Sequence, residues 1–231
     1  MLLRPLTAVA LAALLMIAST AQADELQNRL VAAQRAARAD SYRFRRTILI
    51  DRTGAARKTL VEQFDPRQPA PQQWQLVSVD GHAPTAKEAD QSRKAKRGPV
   101  PSYAELAPWF GAPAVRSEPA PGYVSYRFAH LPAGSFKIGS HDASADTQAE
   151  ALVNVKGDVP FVERVRLSST KGFRMMLFAS VSSMVINQSY RMLPNGHVVP
   201  NGSGSEISGS LLGKSGQLRS SASYTDVEAV R

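Results

Sequence analysis

Apolar and polar positions along this chain change period in a way that marks out its elements. Leu6 to Ala18 form one apolar run, followed by the small residues Ala21-Gln22-Ala23. Beyond it Leu26, Leu30, Ala33 and Ala37 recur at helical intervals, with Glu25, Asn28, Arg29 and Arg35 on other faces, which predicts an amphipathic helix over about 24–39. Asp24 stands where an N-cap belongs, with Gln27 at the capping-box spacing. From Ser41 the period becomes two. Tyr42, Phe44, Ile48 and Ile50 fall on one face of a strand and Arg43, Arg45, Thr47 and Asp51 on the other, while Arg46 interrupts the apolar face. A turn at 52–55 leads to a second strand, Lys58 to Phe64, which Asp65-Pro66 ends. A third, Gln73 to Val79, ends at the turn dipeptide Asp80-Gly81. These elements make a helix followed by an antiparallel meander.

The next stretch, about 83–120, differs in character. Thr85-x-x-Glu88 and Ser102-x-x-Glu105 both fit capping boxes and predict short helices. Between them Arg93-Lys94-Ala95-Lys96-Arg97 is the densest basic run, and its polarity and the flanking Pro99 and Pro101 predict an exposed excursion over the sheet. Strand patterns resume at Tyr123–His130, Ala149–Val155 and Phe161–Ser168. They continue through Phe173–Leu193 as two strands or one long bent one, up to the Pro194-Asn195-Gly196 turn. The Ser/Gly-rich end, Ser203 to Asp226, reads either as a flexible tail or as a final hairpin. Ile207, Leu211, Leu218 and Tyr224 at strand spacing favour the hairpin. The sheet then has about nine to eleven strands, and a twisted antiparallel sheet of that size curls. The expected class is α+β: a curved antiparallel sheet, an open half-barrel, with short helices over its concave face.

Arg4 before the apolar run and the A-x-A site after it read as an export signal, residues 1–23, that is cleaved. Residues 24–231 then form a single domain, periplasmic and soluble. The absence of cysteine excludes disulfides, thiol catalysis, Cys-ligated metals and a lipid anchor on cysteine. Lys and Arg number 28 against 19 Asp and Glu, and removal of Arg4 leaves +8 on 208 residues. Outside the cytosol such a charge points to lipid head groups or acidic surfaces as partners, and not to nucleic acid.

Chemistry is sparse. His82, His130, His141 and His197 show no zinc-ligand spacing, so no metal and no cofactor is expected. Gly209 to Ser215 resembles a phosphate loop but has three residues between its glycines where four are needed, and it lies among strands. Ser168-x-x-Lys171 follows a strand where the Ser-Lys nucleophile motif opens a helix, and no G-x-S-x-G elbow exists. No catalytic residue is therefore predicted. A surplus of large apolar side chains remains, and a curled sheet presents more concave surface than one short helix covers. Tyr42, Phe44, Ile48, Leu60, Phe64, Trp74, Leu76, Trp109, Phe128, Phe161, Val165 and Leu177 are the candidate walls of an acyl-chain cavity, with Met175-Met176 as adaptable lining.

The signal, the helix, the meander, Phe64-Asp65-Pro66-Arg67 and the run from Trp74 through Asp80-Gly81-His82 to Thr85, with Ser102-Tyr103-Ala104-Glu105-Leu106 further on, resemble the periplasmic outer-membrane lipoprotein-sorting superfamily. That group comprises the Lol-type lipoprotein carrier and its relatives, among them a sigma-regulatory periplasmic sensor. The resemblance is clear over residues 24–110 and implies an unclosed half-barrel that shelters lipid or lipoprotein acyl chains without catalysis. It implies a role for Arg67, which follows Pro66 where the carrier has a functional arginine beside a proline. The basic run, through Arg93, Lys94, Lys96 and Arg97, has no counterpart in the carrier and reads equally as a contact for anionic head groups or a membrane protein and as a solvated loop. Two other readings stand beside carriage: a sensor or interaction module for an inner- or outer-membrane protein, and a periplasmic hydrolase using Ser168 or His130.

Overall fold

The computed structural model describes residues 24–37, 42–94, 100–176 and 179–230; the proposed signal, Lys96, Arg97 and Leu177 lie outside the described residues. The first helix, α1 (Glu25–Ala36), starts at Asp24, whose carboxylate accepts the Gln27 backbone N–H at 2.7 Å. The capping box expected here is half realised. Gln27 does not turn back to the cap; its side-chain amide donates to the carbonyls of Phe110 (2.5 Å) and Ala112 (2.9 Å), tying α1 to a second helical segment. The helix also ends sooner than its pattern predicts, with Ala37 already extended at ψ 134°.

Three strands follow, β1 (Tyr42–Arg52), β2 (Lys58–Phe64) and β3 (Trp74–Val79), as the alternation predicts. Next come α2 (Ala86–Lys94), a 3-10 turn at Tyr103–Leu106 and α3 (Ala107–Phe110). Both capping boxes form. Thr85 N–H donates to Glu88 and the Glu88 N–H returns to Thr85 Oγ1, while Ser102 and Glu105 make the same exchange. No residue of α2 is buried, in keeping with an exposed excursion, but that description stops at Pro101. Tyr103, Leu106, Trp109 and Phe110 are core.

The remaining strands are β4 (Val115–Ala120), β5 (Tyr123–Phe128), the two-residue pair β6 (Lys137–Ile138) and β7 (His141–Asp142), β8 (Thr147–Asn154), β9 (Phe161–Ser169), β10 (Phe173–Met176), β11 (Ala179–Met192), β12 (Val198–Leu211) and β13 (Lys214–Ala229). The 173–193 stretch is thus two strands, and the Ser/Gly-rich end is the last hairpin. Strand β4 falls inside the predicted insertion; its Val-Arg-Ser-Glu-Pro-Ala sequence carries a proline that reads as a breaker, which an edge strand tolerates.

Eleven strands form one open antiparallel sheet in the order β3-β2-β1-β13-β12-β11-β9-β8-β5-β4, with β10 paired to β11 off that path. Residues opposite each other across a ladder point to the same side, so one face can be traced through the register. Phe44 pairs with Phe64, Ile48 with Leu60 and Ala222, Ile207 with Leu218 and Met184, Ile186 with Leu167, Ala149 with Phe128, and Ala151 with Tyr126. That concave face is largely apolar, interrupted by the Arg46–Glu62 pair and by serines of β12 and β13. The convex face carries alternating charge where Glu150 lies between Arg127 and Arg166. Register shifts interrupt the ladders in β1, β2, β11 and β9, and such bulges bend a sheet.

The helices cover only part of the concave face. Leu30 of α1, together with Leu106, Trp109 and Phe110, packs on Val124, Tyr126, Phe128, Ala149, Ala151, Val165 and Leu167, all buried. Burying each of the larger of these contributes about 1.5–3 kcal/mol, and the alanines of β8 let the helices approach the sheet closely. A second small core sits under the β6–β7 hairpin, at Phe173, Val181 and Met184. Between them β12 and β13 offer small side chains, Ser203, Ser205, Ser220 and Ala222, which remain half-buried. Ser205 and Ser220 satisfy each other at 2.8 Å.

Candidate ligand-binding site

The cavity follows from how α1 ends. Its last turns present Ala33 and Ala36, with Ala37 just beyond, and these short side chains leave a hollow between the helix and the starts of β1 and β12. The hollow holds about 270 Å³ and opens to solvent. Pro101 to Tyr103 and Val159-Pro160 form one side, the 195–200 turn another, and Tyr42, Phe44, Tyr224 and Val227 the sheet side. Most of this lining is apolar. Its polar side chains are Ser102, Asn195 and His197 together with the phenols of Tyr42, Tyr103 and Tyr224, and the Tyr42 ring meets His197 edge-on at 5.9 Å.

Behind Phe44 lies an aromatic cluster. Phe44, Phe64, Trp74 and Tyr224 have ring centroids 4.9 to 5.7 Å apart in tilted and edge-on contacts. Arg46, the residue that breaks the apolar alternation of β1, is drawn into this cluster. Its guanidinium lies 4.3 Å above the Trp74 ring and pairs with Glu62 at 2.5 Å, both side chains being largely buried. A charge pair so placed is costly to desolvate and is held together by cation–π and hydrogen-bond geometry. Its Nε has no partner among the described residues.

Burial pushes the Tyr224 hydroxyl above its usual range against the opposing pull of Arg46, and burial also raises Tyr103, to about 12. Both phenols stay protonated at neutral pH. Tyr103 accepts the Val162 backbone N–H at 2.8 Å, fixing the 3-10 turn against β9 beside the cavity. Burial lifts the Glu105 carboxyl as well, opposed by the N–H of Ser102 that it caps.

The predicted wall residues separate into groups. Tyr42 and Phe44 line the cavity, and Phe64 and Trp74 support Phe44 from behind. Ile48 and Leu60 lie further along the concave face, half-buried. Trp109, Phe128 and Val165 are packed in the core beneath the helices, with Phe161 at its margin. Leu76 faces a separate polar groove of about 600 Å³ between β3 and α2, which it shares with Arg93. Leu177 lies outside the described residues, as does the side chain of Met176; Met175 packs beside the smaller core.

Of the basic candidates, Arg67, Arg93 and Lys94 do not line the cavity. Arg67 grips Asp65 at 2.7 and 2.9 Å in the turn after β2, and its guanidinium holds the Asp65 carboxyl down at about 2. Arg93 and Lys94 pair with Asp90 on the exposed side of α2, at 3.5 and 2.7 Å. Reasoning from the chain missed Ala33, Ala36, Val159 and the 195–200 turn. A stripe of alanines at the end of an otherwise amphipathic helix was the available signal, since small residues at a helix terminus leave the facing strands uncovered.

Neither hydrolase candidate lines the cavity. Ser168 accepts from Gln148 on the convex face, and His130 is exposed after β5. The glycine-rich 209–215 segment is the β12–β13 turn. Among the described residues no group of three metal-ligating side chains comes together, and no helix is long and apolar enough to cross a membrane.

No family model matches the chain, and no curated protein matches it. A solved structure does. The crystal structure of LolA superfamily protein NE2245 from Nitrosomonas europaea is similar over 89% of this chain and 94% of that one, at 12% identity and a TM-score of 0.38. A likeness this loose leaves ligand and role to be read from the cavity itself.

Proposed function

We propose that this protein binds one acyl chain, or a similarly slender apolar group, in the cavity at the end of α1, and that it acts in the periplasm as a non-catalytic carrier of a lipid or of a lipoprotein acyl chain. The observation that carries the reading is an open, largely apolar hollow of about 270 Å³, lined by alanines, prolines, valines and aromatic rings with few polar groups and no charged side chain. Such a lining suits an acyl chain better than a polar substrate. The volume also limits the ligand. If a methylene takes about the 30 Å³ that a water occupies in the liquid, roughly nine fit, so the cavity suits a single chain. Nine buried methylenes contribute about 7 kcal/mol, a Kd near 10 μM before ordering costs. Periplasmic residence rests on the signal-like sequence of residues 1–23.

The test is mass spectrometry of organic extracts of the purified protein, combined with binding of a fluorescent fatty acid. Ala36 lines the mouth and is itself exposed, so Ala36→Trp fills the site without disturbing the core. Bound acyl species and at least about tenfold weaker probe binding in Ala36→Trp are expected. Extracts free of acyl species, with no probe binding by the unaltered protein, would refute carriage; a membrane protein co-purifying with that empty form would assign the fold to sensing.

A further inference from the structure

The tip of the β12–β13 hairpin carries two adjacent leucines where a turn ordinarily places soluble residues. Leu211 and Leu212 are 60% and 71% exposed. Leu212 and Gly213 both have positive φ, 52° and 77°. Two such residues in a two-residue hairpin turn describe the geometry that Asn-Gly satisfies without strain. Among the described residues the other non-glycine positions with positive φ are both aspartates, which tolerate that region. Leucine at 212 therefore opposes both the backbone preference and the hydrophobic effect, and neither folding nor solubility accounts for it.

On one side the tip stands clear of its neighbour: the β1–β2 turn is level with Gln217, whose carbonyl accepts from Thr53 N–H, so the hairpin projects beyond it by about four residues, or about 13 Å. On the other side Leu211 pairs with Ala179, the first residue of β11. The charges at this end of the sheet are mostly positive. Lys214, next to the turn, and Arg174, level with Ser210 through Ser180, are exposed and form no ion pair among the described residues; Arg52 and Lys58, also exposed, lie further back, level with Leu218 and Ser220, and Lys58 acts electrostatically on Glu88. The acidic groups close by are engaged: Asp51 with Arg57, Glu206 with Arg219 and Gln217, Asp80 with the Thr59 N–H, and Asp146 with Lys171.

We infer that this hairpin tip is a membrane-docking finger, with Leu211 and Leu212 entering the interfacial layer of a bilayer while Lys214 and Arg174 contact anionic lipid head groups. Exposed apolar side chains at a hairpin turn, with unpaired cations beside them, match an anionic bilayer in both hydrophobicity and charge. The finger is separate from the cavity reading. The cavity opens at the other end of the same strands, a strand length or about 45 Å away over the 14 residues of β12.

Sedimentation of the purified protein with vesicles of phosphatidylglycerol and phosphatidylcholine, against phosphatidylcholine alone, tests the inference. Binding is expected to the anionic vesicles and to weaken with salt. Leu212→Asn gives the turn its preferred residue, so its urea midpoint should equal or exceed that of the unaltered protein; combined with Leu211→Ser it should lower vesicle affinity at least about tenfold. Lys214→Glu should lower the preference for anionic vesicles. The inference is overturned if the unaltered protein ignores anionic vesicles, if the leucine variants bind as well as it does, or if binding is lost through Arg93→Glu and Lys94→Glu while the tip is intact. Acyl binding in the cavity should be unchanged by every tip variant, which separates the two outcomes.

Discussion

Asp24 shows how one side chain can fix an element to the sheet. Its carboxylate caps α1 through the Gln27 N–H, accepts the Tyr126 hydroxyl at 2.6 Å and pairs with Arg116 at 3.0 Å. Burial works to raise its pKa, but these three donors outweigh burial and hold it below the usual carboxylate value. A depressed carboxylate contributes stability that is present above its unfolded pKa near 3.9 and is lost as pH falls through the folded value. Asparagine caps a helix as well as aspartate, so Asp24→Asn removes mainly the charge facing Arg116 and Tyr126 and should cost about 1 kcal/mol at pH 7, and the difference from the unaltered protein should shrink as pH is lowered below about 4; urea titrations at the two pH values measure it. The role of Asp24 as a cap was legible from its spacing to Gln27, whereas Tyr126 and Arg116, about a hundred positions away, were not. Arg46 gives the same lesson. Its intrusion into the apolar face of β1 was visible in the chain, but its partners Glu62 and Trp74 depend on strand pairing and on a bulge between Val61 and Glu62 that no local pattern announces.

At the scale of elements, the β12–β13 hairpin is where composition and alternation disagreed, and alternation described the structure. Serine and glycine suit these strands because the backbones come close. A Cβ on Gly209 would lie 2.1 Å from the Ser180 carbonyl oxygen, at the bulge where β11 crosses β12. Gly209→Ala should thus force the two strands apart and lower stability by about 2–3 kcal/mol in urea unfolding. Period alone recovered α1, β1, β2 and the long C-terminal strands. It did not recover β4, where Pro119 hides an edge strand, nor the burial of Tyr103 to Phe110, since a capping box marks where a helix starts but not what it covers. For the same reason the cavity wall was only partly legible. Phe44 and Phe128 alternate alike in their strands; what separates a lining residue from a core residue is the span of α1 and α3 above it, which stops at the alanines.

For the whole molecule, ligand and fold are coupled through mass action. If an acyl chain binds only the folded form, a ligand at about a hundred times its Kd adds about 2.7 kcal/mol. For a chain of this length that corresponds to a rise in Tm of about 5–10 °C. Thermal unfolding with and without dodecanoate should show this rise, and Ala36→Trp should reduce it by about half or more. The two functional features proposed here occupy opposite ends of one sheet, so each can be removed without the other.

The strand order itself governs how the chain can assemble. The first strand lies beside the last, Tyr42 opposite Ala229, and the meander that starts the domain is hydrogen-bonded into the main sheet through that seam. Such a contact closes nearly the full length of the chain, so folding must be slow and wait for the final residues to arrive. Until then β1 has no partner on that edge, and its unpaired N–H and C=O groups lie open. A chain cut short before β13 should therefore leave the opening meander unjoined to the main sheet and prone to pair with other chains.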